Sequence, residues 1–268
     1  MANLLVRPNV ADKDGRVTHV TPEVAGWGYV GFDMYKLAAG QSVTIDTVEK
    51  EHCPVIVTGT ADIAIGGDTF SSLGGRISPF DDMAPGAMYV PWQSSYTVTA
   101  QTEVELAVCT APGADGYDVA VILSSEMSHE VRGEGANIRH VRNILADNDP
   151  RAHHLLVVEV ITPAGNWSSY PPHKHDTDAL PAESYLEETY YHRLNPPQGF
   201  AFQRIYTDDR SLDETMTVHD GDVVMVPKGY HPAGTPFGYD LYYLNVMAGP
   251  VRKWVFRNDP DHQWMLKK

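Results

Sequence analysis

Along most of the chain, apolar and polar side chains alternate with a period of two, the mark of strands with one buried and one wet face. In the first half this pattern predicts strands over Gly28–Leu37, Gln41–Val48, Val55–Ile65, Tyr96–Ala100 and Val104–Thr110. In the second half it predicts them over His154–Thr162, Tyr185–Leu194, Phe200–Thr207, Glu214–Asp220, Asp222–Pro227, Tyr239–Ala248 and Arg252–Phe256. Turn signals such as GGD, PGA, HDGD and PKG separate them. Many short strands in an even rhythm predict an all-β sandwich or barrel.

Between the two sets the pattern lapses. Ser124 to His154 is polar and charged, with one apolar-periodic piece, IRHVRNIL, that predicts a short helix. The expected organisation is therefore an N-terminal lobe over 1–123, a linker with that helix over 124–153, and a C-terminal lobe over 154–268. Each lobe has enough chain for a small barrel. The lobes are faintly alike: GDVVMVPKGYH in the second parallels GAMYVPWQSSY in the first, so that Ser95 falls where His231 stands. EETYYHRL likewise parallels EHCPVIVTG. This is the trace of a duplication in which one copy kept a polar cluster.

Composition adjusts the picture only modestly. The 268 residues are 43% hydrophobic and 21% charged, an ordinary globular balance. The 22 glycines and 19 prolines suit punctuation between short strands. A formal net charge of −15 argues against nucleic acid and anionic membranes as partners, while a small anion could still bind at a local cation. Cys53 and Cys109 lack metal-type spacing and read as buried reduced thiols. The N-terminus has no signal-peptide core and no run of 18 apolar residues occurs, so a cytoplasmic location is expected.

The candidate chemistry lies in YPPHKHDTDALPAESYLEETYYHRL. In an extended Pro172–Asp176 segment, His173 and His175 point the same way and Lys174 the other. On the next strand Glu188, Tyr190 and His192 share one face, and Glu187, Tyr191 and Arg193 the other. VPKGYHP brings His231 to a strand end behind a glycine turn. Three imidazoles and one carboxylate make a borderline site suited to zinc, manganese, iron, cobalt or nickel. The expectation is one divalent ion on His173, His175, His231 and one of the paired glutamates, with zinc ahead of manganese or iron(II), and none in the N-terminal lobe. His19, His52, His129, His140, His153, His154 and His262 have no partner pattern, and His219 sits in a turn. No G-x-S-x-G surrounds the WSSY segment, and no phosphate loop is present.

The HKH, Glu188 and G-x5-P-x-G-x-H elements resemble the two-part metal motif of the cupin superfamily. The TYYHRL that follows Glu188 matches the strand after that family's glutamate, which implies Glu188 rather than Glu187 as the fourth ligand beside His173, His175 and His231. At a finer level GNWSSYPPHKHD, EETYYHR and GYDLYYLNVMAG look like the 5-deoxy-glucuronate isomerase (IolB) family. The resemblance implies a fold of two cupin-type β-barrels in one chain. It also implies a ketol isomerisation of 5-deoxy-D-glucuronate to 5-dehydro-2-deoxy-D-gluconate in myo-inositol catabolism. Such a reaction needs a metal to polarise a carbonyl–hydroxyl pair and a group that moves a proton, with a hydride shift as the other route. Tyr190 and Tyr243 are candidates to face the pocket. Arg204 is the candidate cation for the sugar-acid carboxylate. An iron(II) cupin oxygenase and a non-catalytic sugar-binding cupin are the alternatives, and homo-oligomerisation is left open.

Overall fold

The computed structural model describes residues 3–266 and is almost wholly β. It divides into two compact units, 8–128 with 143–157, and 3–7 with 129–142 and 158–266. The division runs through two strands, Arg139–Leu145 and Leu156–Thr162.

The first unit is a pair of antiparallel sheets. One has six strands in the order Ala120–Ile122, Gly86–Tyr89, Lys50–Thr58, Val104–Pro112, Gly31–Leu37 and Arg16–Val20. The other has four, Ser42–Asp46, Ser95–Ala100, Thr60–Ile65 and Asp68–Gly74. Tyr35, Ile56, Met88 and Leu106 from the larger sheet join Val43, Ile63, Tyr96 and Val98 from the smaller in one buried core. Alternation drives this arrangement, because each inward aliphatic side chain contributes about 1.5–3 kcal/mol on leaving water. Cys109 lies opposite Cys53 in the larger sheet; both are buried and neither is in a disulfide, and burial pushes the Cys109 thiol pKa up.

The second unit repeats the plan. Its larger sheet orders Leu5–Val6, Val223–Val226, Glu187–Asn195, Asp240–Ala248, Leu156–Thr162, Arg139–Leu145 and Ser128–Arg132. Its smaller sheet orders Trp167–Ser168, Ala233–Gly234, Ala201–Tyr206 and Asp213–Val218. Two short ladders complete it, His173–Lys174 with Arg257–Asn258 and Asp176–Ala179 with Glu183–Tyr185.

Three expectations are corrected. IRHVRNIL is not a helix: Arg139–Leu145 is a strand, the partner of Ser128–Arg132 across a turn. The valine and isoleucine spacing mimics a helix because Arg142 occupies a buried strand position, where Glu159 neutralises it (Nη1 to Oε1, 2.5 Å). The single strand expected over Val55–Ile65 is two, Lys50–Thr58 and Thr60–Ile65, broken at Gly59 with φ of 86°. Arg252–Phe256 is irregular, and pairing begins only at Arg257–Asn258. Among the described residues no helix is long and apolar enough to cross a membrane.

Candidate metal centre

The strand Glu187–Asn195 lies between Val223–Val226 and Asp240–Ala248. Period-two alternation sends Glu188, Tyr190 and His192 to one face, where Tyr190 stacks on His192 and its ring centroid lies 4.8 Å from that of Tyr243. His173 and His175 come from the adjoining segment, and Lys174 points away to Asp176, Glu183 and Asp208. The Pro227–His231 turn is held from two sides. Asp176 Oδ2 accepts from the Gly229 amide (2.8 Å), and Tyr206 and Tyr230 exchange backbone hydrogen bonds. Gly229, at φ of 92°, fits because a Cβ there would meet the Tyr206 carbonyl oxygen at 2.5 Å.

Candidate ligand atoms of His173, His175 and His231 lie within 4.8 Å of one another, and all three rings are buried. His175 Nδ1 donates to the Leu186 carbonyl (3.0 Å) and His231 Nδ1 to the Gly229 carbonyl (2.8 Å). Both contacts put the proton on Nδ1 and leave the Nε2 lone pairs facing inward. Glu188 Oε2 lies 3.2 Å from each of those Nε2 atoms. Two ligands sharing one ion through bonds of about 2.0–2.1 Å stand roughly 3.0–3.4 Å apart, so the spacing fits. His231 Nε2 is a buried polar atom without a hydrogen bond, which a cation would satisfy.

Electrostatics favours the same use. Burial, reinforced by His231 and His175, holds His173 well below the ordinary histidine pKa. Burial lowers His231 to about 4. Burial also opposes a proton on His175, but the Glu188 carboxylate outweighs it and raises that pKa. His173 and His231 are thereby kept neutral, as a divalent ion requires, and on His175 the ion would take the place of the proton that Glu188 favours.

A cavity of about 30 Å³ adjoins the cluster, lined by His173, Glu188, Tyr190, Tyr243 and Asn245. The Tyr190 hydroxyl hydrogen-bonds with Ser169 Oγ (3.0 Å), and that of Tyr243 with Ser168 Oγ. Burial raises both phenol pKa values, so both stay protonated. The Asn245 side chain is buried beside the Tyr190 hydroxyl.

Of the residues singled out from the sequence, His173, His175, Glu188, His231, Tyr190 and Tyr243 converge here, and Arg204 does not. On Ala201–Tyr206 the alternation turns Gln203 inward to His192 Nε2 (2.9 Å). Arg204 therefore points outward, pairing with Asp213 (2.8 and 2.7 Å) over the Tyr206 ring. The cations that line the cavity are Arg132 and Arg139, from the segment read as a linker. The one local signal near them was a G-x-G turn, where Gly133 and Gly135 take positive φ.

Paired β-sheets in each unit and a buried cluster of three histidines beside a carboxylate define a protein of the cupin class with a site able to hold a metal. The KduI/IolB family profile matches residues 4–265, and the chain belongs to that family. It is 54% identical over 267 residues to a 5-deoxy-glucuronate isomerase of Geobacillus kaustophilus, covering 100% of this chain and 96% of the relative. It is 48% identical to the 5-deoxy-glucuronate isomerase of Bacillus subtilis strain 168, with both chains fully covered. The crystal structure of an IolB-like protein from Salmonella typhimurium LT2 superposes with a TM-score of 0.95 at 52% identity, covering 99% of this chain and 100% of that one. Oxalate decarboxylase of Bacillus subtilis shares the fold at 12% identity and a TM-score of 0.67, covering 96% of this chain and 80% of that one.

Proposed function

We propose that this protein is a metal-dependent aldose–ketose isomerase converting 5-deoxy-D-glucuronate to 5-dehydro-2-deoxy-D-gluconate in the cytoplasm, within myo-inositol catabolism. The observation that carries the reading is full-length identity of 48–54% to 5-deoxy-glucuronate isomerases. The buried donor set supplies a chemical reason for it. His173, His175, Glu188 and His231 would hold one divalent ion, with zinc favoured over manganese or iron(II) for a nitrogen-rich set. A bound divalent ion supplies Lewis-acid polarisation of neighbouring oxygens, which acidifies a proton between a carbonyl and a hydroxyl.

The chain's own groups orient the substrate. Tyr190 and Tyr243, protonated at neutral pH, donate to sugar oxygens, and Asn245 holds the Tyr190 hydroxyl in place. Proton transfer from C2 to C1 through a positioned acid–base group is worth typically ~10²–10⁴-fold. The reaction neither oxidises nor reduces the substrate overall, so it needs no dioxygen.

The test is an anaerobic assay of purified protein with 5-deoxy-D-glucuronate and a series of divalent metals, with the ketose read by NMR. Full turnover without oxygen and with a redox-inert metal is expected. Oxygen consumption coupled to turnover would replace this reading with an oxygenase, and binding without turnover would leave a sugar-binding cupin. Partners that merely orient a metal ligand are worth ~10–100-fold. His175→Ala should therefore cost at least that factor in kcat while the far-UV spectrum is unchanged.

A further inference from the structure

Arg139 differs from its neighbours. Arg132 is paired with Glu130, Arg142 with Glu159, Arg151 with Asp149, Arg193 with Asp220 and Arg204 with Asp213. Among the described residues no carboxylate pairs with Arg139. Its Nη1 donates to the backbone carbonyls of Asn137 and Tyr170, each at 3.1 Å, which fixes the guanidinium without neutralising it. Burial is the main force lowering its pKa, yet an arginine so perturbed keeps its charge at neutral pH. The guanidinium is thus half-buried, immobilised and uncompensated, in a chain with a net charge of −15.

Its position gives that charge a use. Arg139 lines the small cavity beside His173, Glu188, Tyr190 and Tyr243. It also lines a separate cleft of about 410 Å³ with Glu134, Asn137, Tyr170, Pro171 and Trp264, and no other side chain is common to both linings. The inner cavity, about 30 Å³, is far smaller than the cleft. For a six-carbon acid with its aldehyde end at the histidines, the larger space for the acid end lies on the cleft side, where Arg139 stands. Gly133 makes the approach possible, since a Cβ there would meet Asn137 O at 2.0 Å and Arg139 Nη1 at 2.8 Å.

We propose that Arg139 is the anchor for the substrate carboxylate, holding the acid end at the junction of cleft and cavity while the aldehyde end lies at the histidine cluster. This rests on the isomerase reading for the identity of the sugar acid. A planar guanidinium with its remaining N–H groups free pairs with a carboxylate through parallel hydrogen bonds. Because the carboxylate carries the same charge before and during proton transfer, the anchor acts on binding rather than on kcat.

The test uses two inert ligands on the metal-loaded protein in calorimetry. One is 5-deoxy-D-glucuronate reduced at C1 to the alcohol; the other is the same polyol with its carboxylate also reduced. Wild type should bind the acid ~10–100-fold more tightly than the neutral polyol, the range of a hydrogen-bonded charge. Arg139→Gln should abolish that preference, and Arg139→Lys should restore part of it. With the reactive substrate, Arg139→Gln should raise KM by a similar factor and leave kcat nearly unchanged. Equal binding of acid and neutral polyol by wild type overturns the proposal even if the glutamine variant fails to fold. A preserved preference in Arg139→Gln overturns it as well. Acid-selective binding without isomerisation would leave the anchor standing and remove the isomerase reading instead.

Discussion

His52 in the first unit sits opposite Val90, the register position that Glu188 takes opposite Val226 in the second. The residue replacing the carboxylate is buried, and its Nδ1 lies 3.2 Å from the Tyr96 hydroxyl. Burial, with a smaller contribution from Lys50, lowers its pKa to about 3. An unfolded chain takes up a proton at this histidine near pH 6.5, whereas the folded chain does not. The stability due to His52 is therefore complete above about pH 6.5 and is lost as the pH falls toward about 3. Its share of the slope is about 1.4 kcal/mol per pH unit. His52→Gln should flatten the pH dependence of urea-unfolding free energy by that amount between pH 6 and 4. An unchanged slope would mean that His52 is protonated in the folded protein. The same substitution of residue types is the physical reason to expect no ion in the first unit, as a neutral histidine beside a tyrosine lacks the converging donors found around Glu188.

Among the elements, the strand Arg139–Leu145 carries the largest electrostatic liability. Arg142 is buried against Glu159, whose other oxygen accepts from the Tyr242 hydroxyl (3.1 Å). Removing one partner of a buried pair leaves an uncompensated charge and costs about 3–5 kcal/mol. Arg142→Met should lower the urea midpoint accordingly. The double variant with Glu159→Leu should recover much of the loss, because apolar replacement of a whole buried pair is often close to neutral. A single variant as stable as wild type would show that water reaches Glu159. The same strand carries Arg139, so the single substitution should also weaken acid-ligand binding if it shifts the strand. Period-two reading failed at this element for the same reason. Charged residues at inward positions erase the alternation, and only the partner across the sheet makes them tolerable.

For the whole molecule, the centre lies within a unit whose other side chains already form a core, including Val158, Val160, Leu194, Val224, Leu241 and Leu244. A ligand present at a thousand times its Kd adds only about 4 kcal/mol. Chelation should therefore abolish isomerase activity and lower the melting temperature without unfolding the protein, and metal analysis should return one equivalent per chain. Loss of native far-UV signal on chelation would make the ion structural, and two equivalents would place a second site outside the cluster. What the sequence determined by itself was the all-β class and the members of the histidine cluster. Both are short-range: alternation sets which of His173, Lys174 and His175 face together, and a glycine turn delivers His231 to a strand end. What only the tertiary structure decided was which cations reach the cavity. Arg204 is on a well-formed strand but faces outward, since Gln203 takes the inward position to meet His192. Arg139 lies in IRHVRNIL, whose spacing reads as a helix rather than a strand, and backbone carbonyls at Asn137 and Tyr170 hold it at the cavity. Such a placement depends on groups distant in the chain, which no local pattern records.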